Sequence, residues 1–161
     1  RSLETPQKFT GNSIDEFHDF VPKELTLRMV ASKAASIYDP IGYLQPWYLG
    51  IKHILRLSCE SINRNWDDQL PDNLRNLWVE KFYELLQLEH VSFDRCTFPA
   101  NLFYTDITVV GISDYGNIGR LQAFYVLRKI NNIYHIQLIY AKSQLRGKKS
   151  VPCEELCSLH A

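Results

Sequence analysis

Two carboxylates stand where a chain can hold a divalent cation. Asp114 closes the hydrophobic run of 102–113, and Glu155 falls in the first turn of an expected helix that follows three expected strands. If that helix packs on the sheet, both project to one edge, and hard cations such as Mg²⁺ take oxygen ligands of this kind. Each residue also has a plainer use: Asp114 as a turn former ahead of Gly116 and Asn117, and Glu155 as a partner of the helix dipole. Lys142, Arg146, Lys148 and Lys149 make a basic loop that is either a phosphate contact or a solvated surface. Cys153 and Cys157 lie four apart with His160 three further on, but zinc needs a fourth ligand that one helix does not supply. Buried, apolar thiols are the better reading. No phosphate-cradling Gly-rich loop and no Ser nucleophile elbow are present, and His18, His53, His90 and His135 have no partner that the sequence names.

The elements that must position these groups follow from periodicity. The opening residues, polar with Pro6 and Gly11, read as a tail or the end of a preceding element. Leu25, Met29, Ala31, Ala35 and Ile37 recur at helical spacing and predict a helix over 24–37, stopped by Asp39-Pro40. The stretch Asp39 to Pro46 is a turn into a second helix over 47–61. Asn65 to Pro71 is a loop with a buriable Trp66, and Asp72 is placed to cap an amphipathic third helix over 72–87. After Pro99 the period drops to two. Segments 102–113, 121–130 and 133–141 read as strands, and the short joins at 115–120 and Asn131-Asn132 predict an antiparallel meander. Ser150 and Pro152 then suit the start of a fourth helix. The class is α+β: helices first, then β-β-β-α.

Composition narrows the rest. The chain has 161 residues with 18 Lys+Arg against 18 Asp+Glu, and 9 Tyr, 8 Phe and 3 Trp, enough apolar surface to fold. Zero net charge gives no global pull toward polyanions. Charge is uneven, however: residues 1–98 carry 11 basic and 14 acidic groups, and 99–161 carry 7 and 4, so the second part is the one suited to phosphate. No membrane-length apolar run and no secretory signal occur, and four scattered cysteines fit reduced thiols in an intracellular protein. No Met stands at position 1 and the sequence stops inside an expected helix, as a piece of a longer protein would.

Five short segments together resemble one family. Ala35-Ser36-Ile37-Tyr38-Asp39-Pro40-Ile41-Gly42-Tyr43-Leu44-Gln45-Pro46 resembles the "SxxDPLGLLSP" segment after the reverse transcriptase of BEL/Pao-type LTR retrotransposon polyproteins, and Trp66 to Pro71 their "WDDPLP". Gly111-Ile112-Ser113-Asp114 resembles "GFSDAS", Ala141-Lys142-Ser143 "AKSRV", and Val151 to Cys157 "IPRLELCAA". The chain departs from that pattern at Tyr115-Gly116, at Leu121 and at Cys153-Glu154. The resemblance implies a tail or polymerase end at 1–23, a helical connection at 24–98, and the truncated N-terminal half of a ribonuclease H-like domain at 99–161. It assigns Asp114 and Glu155 as the first two catalytic metal ligands. It further implies Mg²⁺ in a complete domain, an RNA–DNA hybrid and the rest of the polyprotein as partners, no membrane, and residence in the cytoplasm or in virus-like particles. RNA-templated DNA synthesis with hydrolysis of the RNA strand is the implied activity of the whole. A non-catalytic nucleic-acid-binding or assembly module, or a degenerate relic, is the alternative.

Overall fold

The structure is a computed structural model and describes residues 9–61, 65–88, 91–93 and 104–147. Its elements are α1 (Ile14–Phe20), α2 (Leu27–Ala35), α3 (Gln45–Ser61), α4 (Asp72–Gln87), β1 (Thr105–Tyr115), β2 (Gly119–Ile130) and β3 (Ile133–Leu145). The α+β class is as expected; the fourth helix of the sequence reading lies outside the described residues. No helix among the described residues is long and apolar enough to cross a membrane. The contacts divide the chain into two compact units, 1–35 with 54–91 and 36–53 with 92–161.

The helical unit is built on α4. Its Leu74, Trp78, Val79 and Phe82 are buried at the i, i+4, i+5, i+8 spacing of one helix face, together with Leu27, Val30 and Ala34 of α2. The polar atom of Trp78 is satisfied: its indole N–H donates to Ser58 Oγ at 3.0 Å, and that hydroxyl donates to the Ile54 carbonyl at 2.8 Å. The capping residue of α4 is Pro71 and no side chain caps the helix, so Asp72 is not the cap but an acid inside the first turn, where the dipole favours it. Trp66 also differs from expectation, being 48% exposed. The loop is anchored by its backbone and by Asp67 instead. Arg28 N–H donates to the Trp66 carbonyl, Leu70 N–H to the Leu25 carbonyl, and the Arg28 guanidinium grips both Asp67 oxygens at 2.7 and 3.0 Å.

Helix α1 forms within the segment read as a tail or the end of a preceding element. Ser13 and Glu16 close a capping box, and Phe17 is buried against α1's neighbours Phe9 and Tyr83. Its far end is held by Arg75, a buried guanidinium that donates to the carbonyls of His18, Val21 and Pro22. A cation at a helix C-terminus meets both the unpaired carbonyls and the negative end of the dipole.

The second unit holds the sheet, in order β1-β2-β3, antiparallel throughout. Asn131 and Asn132 take φ of 48° and 68°, the left-handed pair that a two-residue type I′ turn requires. One extra β3 residue between Tyr140 and Leu138 makes a bulge opposite Phe124/Tyr125. The turn before α3 docks directly on β3. Both oxygens of Asp39 accept N–H groups, from Gly42 and Leu44, each at 3.0 Å, and the Ile41 carbonyl accepts Ala141 N–H at 2.7 Å. Gly42 has φ of 96°, and a Cβ there would be driven into the Ala141 carbonyl.

Gly42→Ala is expected to lower stability by about 2 kcal/mol or more, combining left-handed strain with the backbone collision. Gly116→Ala meets only ordinary contact with the Gly119 carbonyl and should change stability by less than about 1 kcal/mol. Urea midpoints of the two variants check this; equal midpoints would refute the docking role of Gly42.

Candidate functional site

Asp114 is the penultimate residue of β1. It lies opposite Leu121, which lies opposite Ser143, so the three share one transverse row and one sheet face. The Asp114 side chain is exposed, and its Oδ1 accepts the N–H of Tyr115 at 2.9 Å, which fixes the carboxylate at the strand end. It borders a hollow of about 380 Å³, walled by Pro46 and Leu49 of α3, the 116–119 turn and Leu121. The hollow is mostly apolar, with one carboxylate at its rim.

The Ser143 end of the same row is a closed polar network. Gln45 Oε1 accepts Ser143 N–H at 2.9 Å and Ser143 Oγ–H at 2.8 Å, while Lys52 Nζ donates to the Ser143 carbonyl at 2.6 Å and to Oγ at 3.0 Å. Ser143 is 2% exposed, so these bonds satisfy a buried group. Two of the segments singled out in the sequence, 35–46 and 141–143, are therefore in direct contact.

The cations sit differently. Ser113, Gln122 and Lys142 share a row, as do Tyr115, Arg120 and Gln144, and both rows face away from Asp114. Arg146 lies 6.0 Å from the Tyr115 ring centroid, and its N–H donates to the Ile118 carbonyl. The structure thus brings Lys142 and Arg146 together on one face and leaves Asp114 on the other. It also adds Arg120, which the sequence reading missed; Arg120 Nε donates to Gln144 at 3.1 Å. Strand alternation across the 116–118 turn was the signal that pairs Arg120 with Tyr115. Glu155, Lys148, Lys149, Cys153, Cys157 and His160 lie outside the described residues.

The described residues do not by themselves make a metal site. Among them no three His, Cys, Asp or Glu side chains are grouped to hold an ion, and Asp114 is the sole carboxylate on the rim of its hollow. A hard divalent cation draws on six or more oxygens, and one carboxylate with an oxygen already engaged is a small part of that set.

Residues 26–161 match the family of Pao retrotransposon-like RNaseH-like domains. The chain belongs to that family and is a region of a Pao/BEL retrotransposon polyprotein, and the four helices and three-stranded antiparallel sheet of its described residues are consistent with a partial RNase H-like fold. No match is found among curated proteins or solved structures.

Lys52 gives a pH test of the network beside the site. Burial, and then the charge of Lys142, hold its pKa below the ordinary 10.5. Between the folded and unfolded values the unfolded chain binds more protons, so stability rises with pH across that alkaline window. Lys52→Met should remove this rise. Urea midpoints followed as pH approaches 10.5 check it, and parallel curves for the two proteins would count against the burial of an ammonium at this position.

Proposed function

We propose that this region serves a polyprotein that copies RNA into DNA, and that in the complete ribonuclease H-like domain it supports Mg²⁺-dependent cleavage of the RNA strand of RNA–DNA hybrids. The observation that carries the reading is Asp114, an exposed carboxylate fixed at the end of the first strand of an antiparallel meander, in a chain of this family. In this reading Asp114 and Glu155 are metal ligands, and Lys142, Arg146, Lys148 and Lys149 contact phosphates. Magnesium, when bound in a complete site, supplies the activated water and stabilises the leaving oxygen. The role of Asp114 on its own is to hold an oxygen donor at the hollow's rim, oriented by the Tyr115 amide.

The 161 residues carry two carboxylates of such a ligand set, so they are expected to show no cleavage of a labelled hybrid with Mg²⁺. A polyprotein segment extended downstream should cleave, and Asp114→Asn or Glu155→Gln in that longer protein should lower the rate by about 100-fold or more, since each removes a ligand of the metal chemistry. Cleavage by the extended segment that survives Asp114→Asn would sink the assignment. A hybrid bound but never cleaved by the extended wild-type segment would favour the non-catalytic binding module.

A further inference from the structure

The outer edge of β3 is occupied at one end and open at the other. Ala141 and Ser143 give their amides to the Ile41 carbonyl and to Gln45, but upstream of the bulge the situation changes. The two-residue turn closes on the pair Ile130 and Ile133, and bonded and non-bonded pairs alternate along antiparallel strands. His135 and Gln137 therefore bond back to β2, opposite Arg128 and Val126, while the amides and carbonyls of Tyr134, Ile136 and Leu138 point outward. Among the described residues nothing bonds these outward groups.

The open length also lacks the usual protection of an edge. Ile133, Tyr134 and Ile136 are 63%, 62% and 66% exposed. A hollow of about 540 Å³ is bordered by His135, Ile136, Gln137 and Leu138 in succession. Side chains of a strand alternate between faces, so a space that touches four neighbours in a row reaches along the rim, where a further strand has room. Proteins ordinarily blunt such edges with charge or proline. Strand β1, at the other side of the sheet, carries Asp106 and Asp114, whereas Ile133-Tyr134-His135-Ile136-Gln137-Leu138-Ile139 holds no Asp, Glu, Lys, Arg, Pro or Gly.

We propose that two copies of this chain pair through this edge, β3 against β3, antiparallel about a two-fold axis at Ile136, so that the two sheets become one. That centre uses all three outward amides and all three outward carbonyls: Ile136 exchanges both bonds with Ile136 of the second copy, and Tyr134 does so with Leu138. The side chains then match in kind, Ile136 beside Ile136, Tyr134 beside Leu138, and the polar His135 beside Gln137. An edge free of formal charge at every paired position meets itself without like-charge opposition. A pairing of so few residues lies at the small end of interfaces, below about 1,200 Å², so monomer and dimer exchange at micromolar concentrations. This goes beyond the nuclease reading and draws on neither Asp114 nor Glu155.

Sedimentation velocity of the 161-residue chain from about 5 to about 200 μM should show monomer giving way to dimer. Ile136→Lys sets two ammoniums opposite each other on residues whose Cα atoms are about 5.5 Å apart, and should weaken dimerisation more than about tenfold. Ile136→Glu should do the same, and an equal mixture of the two variants should dimerise again, because position 136 of one copy faces position 136 of the other. In the parent chain, hydrogen exchange at the Tyr134, Ile136 and Leu138 amides should slow as concentration rises, a readout that needs no variant. Asp114→Asn should dimerise as the parent does, which separates failure here from failure of the nuclease reading. Circular dichroism verifies that substitution of the exposed Ile136 leaves the fold intact. The proposal is overturned if the parent stays monomeric throughout, if it dimerises with exchange at the three amides unchanged, if Ile136→Lys dimerises like the parent, or if the mixed variants stay apart.

Discussion

One backbone contact organises the unit that carries Asp114. The Ile41 carbonyl takes the Ala141 amide, and this approach exists because Gly42 has no Cβ and adopts a φ that other residues resist. Asp39 prepares the turn by taking the Gly42 and Leu44 amides on its two oxygens, and Gln45 and Lys52 then extend the contact to Ser143. The strand that receives this turn is an edge of the described sheet. Its amides at 141 and 143 therefore point not at open solvent but at defined acceptors, which removes part of the exposed edge that would otherwise pair with other chains. Because Ser143 and Asp114 sit on one transverse row, fixing the first fixes the register of the second.

Charge is sorted by the alternation of the strands. Neighbouring residues 113, 114 and 115 send their side chains to opposite faces, so Asp114 is separated from Lys142 and Arg120 even though all three lie at the same end of the sheet. A carboxylate kept from neutralising contact with those cations stays available as an oxygen donor. No acid occurs in β2 or β3, and the carboxylate that meets Lys129, 3.6 Å from its Nζ, is Asp106 of the neighbouring β1.

Much of this architecture was legible in the sequence. Helix α4 occupies 72–87 as its apolar spacing predicts, α3 begins two residues earlier than expected, and the turn at Asn131-Asn132 is where the two asparagines put it. Strands β1 and β3 run further than their hydrophobic alternation, to Tyr115 and Leu145, because ladder hydrogen bonds continue through polar residues once register is set. Helix α1 was missed although Ser13 and Glu16 spell its capping box, since seven residues give too little periodicity to weigh against a polar start. Trp66 is expected to be buriable because large aromatics usually are, yet it stays half exposed in a loop held by its backbone. Arg75 was not singled out at all: its burial depends on carbonyls far away in sequence, which no local pattern encodes. For the site, position along the strand picked out Asp114, but only register shows which side chains share its face.

The clasp between the 39–45 turn and β3 has a kinetic meaning. Every strand pairing in the sheet joins sequence neighbours through short turns, whereas the Gln45–Ser143 bond spans 98 residues. Loop-closure entropy makes distant contacts slow to form and local hairpins fast, so the meander assembles first and the clasp closes onto a strand already in place. During synthesis the 39–45 turn leaves the ribosome long before its partner exists. The internal Asp39 bonds, made entirely within the turn, give that segment a shape to keep while it waits.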